Sequence, residues 1–138
     1  MANQKSKYKA VMLVDDNEID NLINQKMIEA ADITETIYTH TGAKSAIEFL
    51  KNLEKVEDLG NDILPSVIFL DIDMPLMDGF QFLDEFDKLM AKTKEKCKIV
   101  MLTSSINPRD VTKSKGYVYV KKYINKPLSQ ENLENLTL

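Results

Sequence analysis

Ala10-Val11-Met12-Leu13-Val14-Asp15-Asp16 is five apolar residues closed by two acids, and Val67-Ile68-Phe69-Leu70-Asp71 repeats the pattern with one acid. Continuous apolar runs this short fit strands covered on both faces, as in a parallel sheet enclosed by helices. In such sheets ligands bind beyond the carboxyl ends of the strands, which is where these acids stand. A third run, Ile99-Val100-Met101-Leu102, ends at Thr103-Ser104, and a segment from Tyr119-Val120 through Tyr123-Ile124 leads to Lys126-Pro127. Four strand ends thus offer acid, acid, hydroxyl and ammonium, and Asp15, Asp16 and Asp71 suggest a single cation-binding site.

Between these runs the apolar period becomes helical. Ile19, Leu22, Ile23, Met27 and Ala30 share one face; so do Ala43, Ala46, Ile47 and Leu50, then Phe82, Leu83, Phe86, Leu89 and Met90. Thr36-Ile37-Tyr38-Thr39 is a weaker second strand, with Thr41 or Gly42 opening the helix after it. Residues 51–64, rich in Glu, Asp, Asn and Gly, read as a helix end and a surface loop. Asn107-Pro108 starts a helix whose one apolar anchor is Val111, so that helix is expected to be mobile or loosely packed. Residues 129–136 read as a short last helix capped by Ser129. Five strands alternating with five helices predict an α/β fold of the flavodoxin-like, doubly wound kind: a five-stranded parallel sheet in the order 2-1-3-4-5 with helices on both faces.

The 138 residues suffice for one domain, expected over 8–138 after a flexible N-terminus at 1–7. No segment approaches the roughly 20 consecutive apolar residues of a membrane span, and the N-terminus lacks the apolar stretch of a signal peptide. With a single cysteine, Cys97, no internal disulfide forms, and cytoplasmic is the default location. A net charge of −4 does not advertise a nucleic-acid partner. Lys113, Lys115, Lys121 and Lys122 read as solvated, His40 as a strand-end residue without a catalytic task, Cys97 as packing, and the seven methionines as core filler.

A hard divalent cation such as Mg2+ takes oxygen ligands and is usually held by one or two carboxylates together with a substrate phosphate. Without it, three adjacent carboxylates would repel one another and raise one member's pKa. A carboxylate can also attack phosphorus to give an acyl phosphate, while Lys126 neutralises phosphoryl oxygens and Thr103 donates a hydrogen bond to one.

At these residues the chain resembles a response-regulator receiver domain of two-component signalling. The motifs are Leu13-Val14-Asp15-Asp16, the run Asp71-Ile72-Asp73-Met74-Pro75-Leu76-Met77-Asp78-Gly79, Thr103-Ser104 and Lys126-Pro127, and the likeness covers nearly the whole chain. The resemblance implies that Asp71 accepts a phosphoryl group from a histidine kinase or a histidine phosphotransfer protein. It implies Mg2+ on Asp16 and Asp71, with Asp15 acting mainly through a bound water and the backbone carbonyl of Asp73 completing the shell. Thr103 and Lys126 would contact the phosphoryl oxygens, and the Lys126-Pro127 bond would be cis. Tyr123 occupies the place of the family's switch aromatic: Thr103 moves toward the phosphoryl group, Tyr123 turns into the space left, and the face of the last strand and its flanking helices repacks for an unknown downstream protein. Asp73 and Ser105 would tune the phosphoryl lifetime, and Glu18, Asn21 and Gln25 on the first helix would meet the phosphodonor. The 55 residues from Asp16 to Asp71 exceed the spacing of compact receivers, and the acidic stretch around 54–62 absorbs the excess. A receiver without an output domain is expected, acting as a stand-alone switch, a phosphorelay intermediate or a phosphate sink.

Two other readings use the same residues. A receiver-like binding module independent of phosphorylation would bind its partner equally well after Asp71→Asn. A haloacid-dehalogenase-like phosphatase would also use Asp71 and Asp73, but there the nucleophile motif comes first and the acidic pair last, the reverse of the order here, and no cap domain is inserted.

Overall fold

The computed structural model describes residues 7–56, 63–104 and 106–136. Its elements are β1 (Tyr8–Val14), α1 (Glu18–Ala31), β2 (Thr34–His40), α2 (Ala43–Glu54), β3 (Val67–Asp71), α3 (Gly79–Phe86), α4 (Ala91–Lys96), β4 (Lys98–Thr103), α5 (Pro108–Ser114), β5 (Val120–Asn125) and α6 (Gln130–Glu134). All four strand pairs are parallel and the sheet runs β2-β1-β3-β4-β5, the order expected from the sequence. Among the described residues no helix is long and apolar enough to cross a membrane. The flexible N-terminus expected at 1–7 lies, apart from Lys7, outside the described residues, as do positions 57–62 of the expected surface loop.

Alternation along the strands sorts the core into two layers. Met12, Val14, Ile68, Leu70, Ile99 and Met101 pack with Ala46, Ile47 and Leu50 of α2 and Phe82, Leu83 and Phe86 of α3. Val11, Leu13, Phe69, Val100 and Leu102 turn the other way, onto Ile28 of α1 and Leu133 of α6. Burying each such large side chain contributes about 1.5–3 kcal/mol, which fixes the strands in register and so aligns their carboxyl ends.

Three expectations change. The helix expected to run through Met90 stops at Phe86 as α3, and an additional short helix not expected from the sequence, α4, begins at Ala91, making six helices among the described residues. The division is held by Glu54 of α2, whose carboxylate accepts from the Met90 amide at 2.9 Å and the Thr93 hydroxyl at 2.6 Å. On α1, the buried residues are Asn21, Asn24 and Ile28, whereas Ile19, Leu22 and Ile23 are 68%, 54% and 40% exposed. The apolar stripe therefore faces outward over the first two turns, because hydrogen bonds fasten the inner face. Asn21 Nδ2 donates to the carbonyls of Asp15 (2.9 Å) and His40 (3.3 Å), and the Leu128 amide donates to Asn24 Oδ1 (3.0 Å). Asn21 is thus not among the surface residues of α1. On α5, begun by the Asn107 cap and Pro108, Ser114 is the one buried residue, and Lys113 lies over the Phe80 ring at 4.4 Å.

Candidate functional site: an acidic cluster with a half-buried lysine

β1 and β3 are neighbours, so Asp15 and Asp16 just past one and Asp71 at the end of the other meet at a single point of the sheet edge. One carboxylate oxygen from each lies within 4.8 Å of the others. Asp15 and Asp71 are buried and Asp16 is exposed, so the cluster has a dry floor and a wet mouth. Such an all-oxygen donor set with one solvent-facing carboxylate fits a hard divalent cation that keeps part of its water shell.

Charge in this space is held in tension. Burial, and then the negative charge of Asp15, push the Asp71 carboxyl up to about 6, with Lys126 and the Asp73 amide pulling the other way. Lys126 reaches in from beyond β5, its Nζ 2.9 Å from Asp15 Oδ2, 3.0 Å from Asp20 Oδ2 and 3.4 Å from Asp71 Oδ1. Burial alone would depress its ammonium; the bonds to Asp15 and Asp20 and the charge of Asp71 outweigh burial and raise it. Lys126 is placed by backbone, since its amide donates to the Thr103 carbonyl at 2.7 Å; the bond from Lys126 to Pro127 is cis.

The loop after β3 is tightly specified. The Asp73 amide points at Asp71 Oδ1 (3.4 Å), Leu76 takes a left-handed φ of 68°, and the Gly79 amide donates to the Ile72 carbonyl at 2.9 Å. A Cβ on Gly79 would stand 2.9 Å from the Ile72 Cα, so only glycine fits without a backbone shift. Asp78 then closes a capping box with Gln81 at the start of α3.

Thr103 is buried at the end of β4, whose Leu102 is paired with Asp71. Tyr123 on β5 pairs with Met101 and packs half-buried against the α2–α3 layer. Its buried hydroxyl has no hydrogen-bond partner among the described residues and is pushed up to about 12, by burial first and then by the charges of Asp110 and Asp73. The structure thus gathers carboxylate oxygens of Asp15, Asp16 and Asp71 within 4.8 Å of one another and seats Lys126 on Asp15 and Asp71, with Asp73 and Thr103 flanking and Tyr123 on the strand beyond β4; Ser105 lies outside the described residues. Asp20 was not anticipated. Its signal is position: the third residue of a helix that begins directly after the acidic pair faces back toward the site.

His40 ends β2 with its carbonyl accepting from the Asp15 amide at 3.1 Å, while its ring is turned to Phe49 with Nδ1 2.9 Å from Ser45 Oγ. Cys97 is buried, its thiol pushed up to about 12 by burial first.

The family model described as "Response regulator receiver domain" matches residues 11–137. The response regulator Rcp1 of Synechocystis is 26% identical over 136 residues, which cover 99% of this chain and 86% of that protein. A 132-residue part of the sensor histidine kinase CheAY of Helicobacter pylori is 30% identical, covering 95% of this chain but 15% of that much longer protein. Among solved structures, a two-component response regulator from Cytophaga hutchinsonii superposes with a TM-score of 0.84 at 32% identity, covering 94% of this chain and 93% of that one.

Proposed function

The chain belongs to the response regulator receiver family of two-component signalling, and from that premise we propose that it is a phosphoacceptor switch in which Asp71 takes a phosphoryl group from a phosphohistidine. It is a signalling module rather than a classical enzyme; what it catalyses is its own phosphorylation and dephosphorylation. One Asp71 oxygen attacks phosphorus, the P–N bond of the donor breaks, and the imidazole leaves as the neutral ring after taking up a proton. Asp16, Asp71 and the Asp73 carbonyl, with Asp15 behind them, would hold Mg2+, which would supply charge neutralisation for the transferring group. Lys126 pairs with a second phosphoryl oxygen and the Thr103 hydroxyl donates to a third. As Thr103 moves in, Tyr123 turns inward and the α5–β5–α6 face repacks, a local charge event biasing a two-state element. The unpartnered Tyr123 hydroxyl supports this step, because a half-buried ring with no bond to break turns at low cost.

The observation that carries the proposal is the acidic cluster with Lys126 seated on it, at the carboxyl ends of β1 and β3 where the order of the parallel sheet reverses. The phosphodonor is a histidine kinase or histidine phosphotransfer protein. Glu18 and Gln25 remain candidate contacts on α1, and the exposed Ile19, Leu22 and Ile23 give that surface an apolar centre. The test is intact mass after incubation with a small-molecule phosphodonor, with and without Mg2+. Wild type should gain one base-labile phosphoryl group only with Mg2+, and Asp71→Asn none. No gain by a folded, Mg2+-binding wild type would point instead to a binding module that works without phosphorylation.

A further inference from the structure

An ammonium has three N–H donors. Those of Lys126 face three carboxylates, and the longest contact is the one to the acceptor: 3.4 Å to Asp71, against 2.9 Å to Asp15 and 3.0 Å to Asp20. The side chains of Asp15 and Asp71 are 2% and 4% exposed, that of Asp20 37%, so Asp20 holds the ammonium from the solvent side. Asp20 is itself fixed, being in the first turn of α1 with its amide donating to the Asn17 cap at 3.0 Å. Together with Ile23, Asn24, Ser104, Lys126 and Pro127 it lines a cavity of about 260 Å3.

A lysine ammonium and a divalent cation compete for the same carboxylates. We propose that Asp20 is a positioning residue for Lys126: it draws the ammonium off Asp71 toward the rim, leaving the Asp71 carboxylate accessible to the cation while Lys126 stays paired with Asp15. The inference rests on the cation-dependent reading above. Charge-assisted bonds made in a dry pocket are strong, whereas a pair one-third open to water is weak and exchanges readily. Without Asp20 the third N–H of Lys126 closes onto Asp71, and the cation must then break a desolvated bond to enter. With Asp20 present, Lys126 instead releases an exposed partner when a phosphoryl oxygen arrives.

Calorimetric titration of Mg2+ into wild type, Asp20→Asn, Lys126→Met and the double variant tests this, with far-UV circular dichroism as the folding control and Asp20→Glu as a second variant. Asp20→Asn should weaken Mg2+ binding roughly threefold to tenfold, and Asp20→Glu should restore part of that loss. In the Lys126→Met background the same Asp20→Asn change should alter affinity by less than about twofold. Equal losses in both backgrounds would make Asp20 a remote charge and overturn the proposal, as would an unchanged affinity for Asp20→Asn alone. The Mg2+ concentration for half-maximal phosphorylation by phosphoramidate should rise by the same factor. A wild type that takes no phosphoryl group would defeat the functional reading, while the calorimetric cycle would still decide the role of Asp20.

Discussion

Asp71 is a carboxylate placed where a carboxylate is uncomfortable, 3% exposed and beside Asp15. Its proton is held up to about 6, against 3.8 ordinarily, so between those values the folded chain binds a proton that the unfolded chain has lost. The sign follows: Asp71 costs stability above about pH 6 and costs none below about pH 4. Asp71→Asn should therefore raise the unfolding free energy of the metal-free protein at pH 7 by about 1–3 kcal/mol in urea, the gain shrinking as pH falls toward 4. An equal gain at both pH values would show that charge is not its source. Gly79 is the opposite kind of residue, one that works by having no side chain. Gly79→Ala puts a Cβ 2.9 Å from the Ile72 Cα and 3.0 Å from the Asp71 carbonyl, so it should lower the urea midpoint by the equivalent of about 1–3 kcal/mol and slow phosphorylation of the adjacent acceptor.

At the scale of elements, α1 separates what sequence period reveals from what it conceals. The stripe of Ile19, Leu22, Ile23, Met27 and Ala30 was legible as a helix, but it does not mark the inner face, because Asn21 and Asn24 anchor that face by hydrogen bonds that a hydrophobic pattern cannot register. Asn24→Leu should orphan the buried Leu128 amide and cost about 1–3 kcal/mol in chemical denaturation. Leu22→Ser, on the exposed stripe, should stay within about 0.5 kcal/mol of wild type. If that stripe receives the phosphodonor, a triple Ile19→Ser, Leu22→Ser, Ile23→Ser variant should be phosphorylated normally by a small-molecule donor and slowly by a phosphohistidine protein, as read on a phosphate-affinity gel. The separate α4 was illegible for a different reason: its capping carboxylate, Glu54, lies 36 residues from Met90 in sequence, and no local signal pairs them.

For the whole molecule, strand order and candidate site were legible together, since four of the five strands end on or just before the residue they deliver: Val14 before Asp15 and Asp16, Asp71 on β3, Thr103 on β4, Lys126 just past β5. Parallel pairing brings those ends to one edge, so local sequence was enough to foresee the juxtaposition. Asp20 escaped because its role depends on the direction α1 takes after the acidic pair, which the helical period does not state. Whether chemistry at Asp71 moves Tyr123 is read most directly by NMR of 13C-tyrosine-labelled protein with Mg2+ and a phosphodonor, with acyl phosphate quantified in the same sample. A second Tyr123 resonance should appear whose population tracks phosphorylation and which Asp71→Asn abolishes. Full phosphorylation with the Tyr123 resonance unmoved would contradict the coupling of Asp71 to Tyr123.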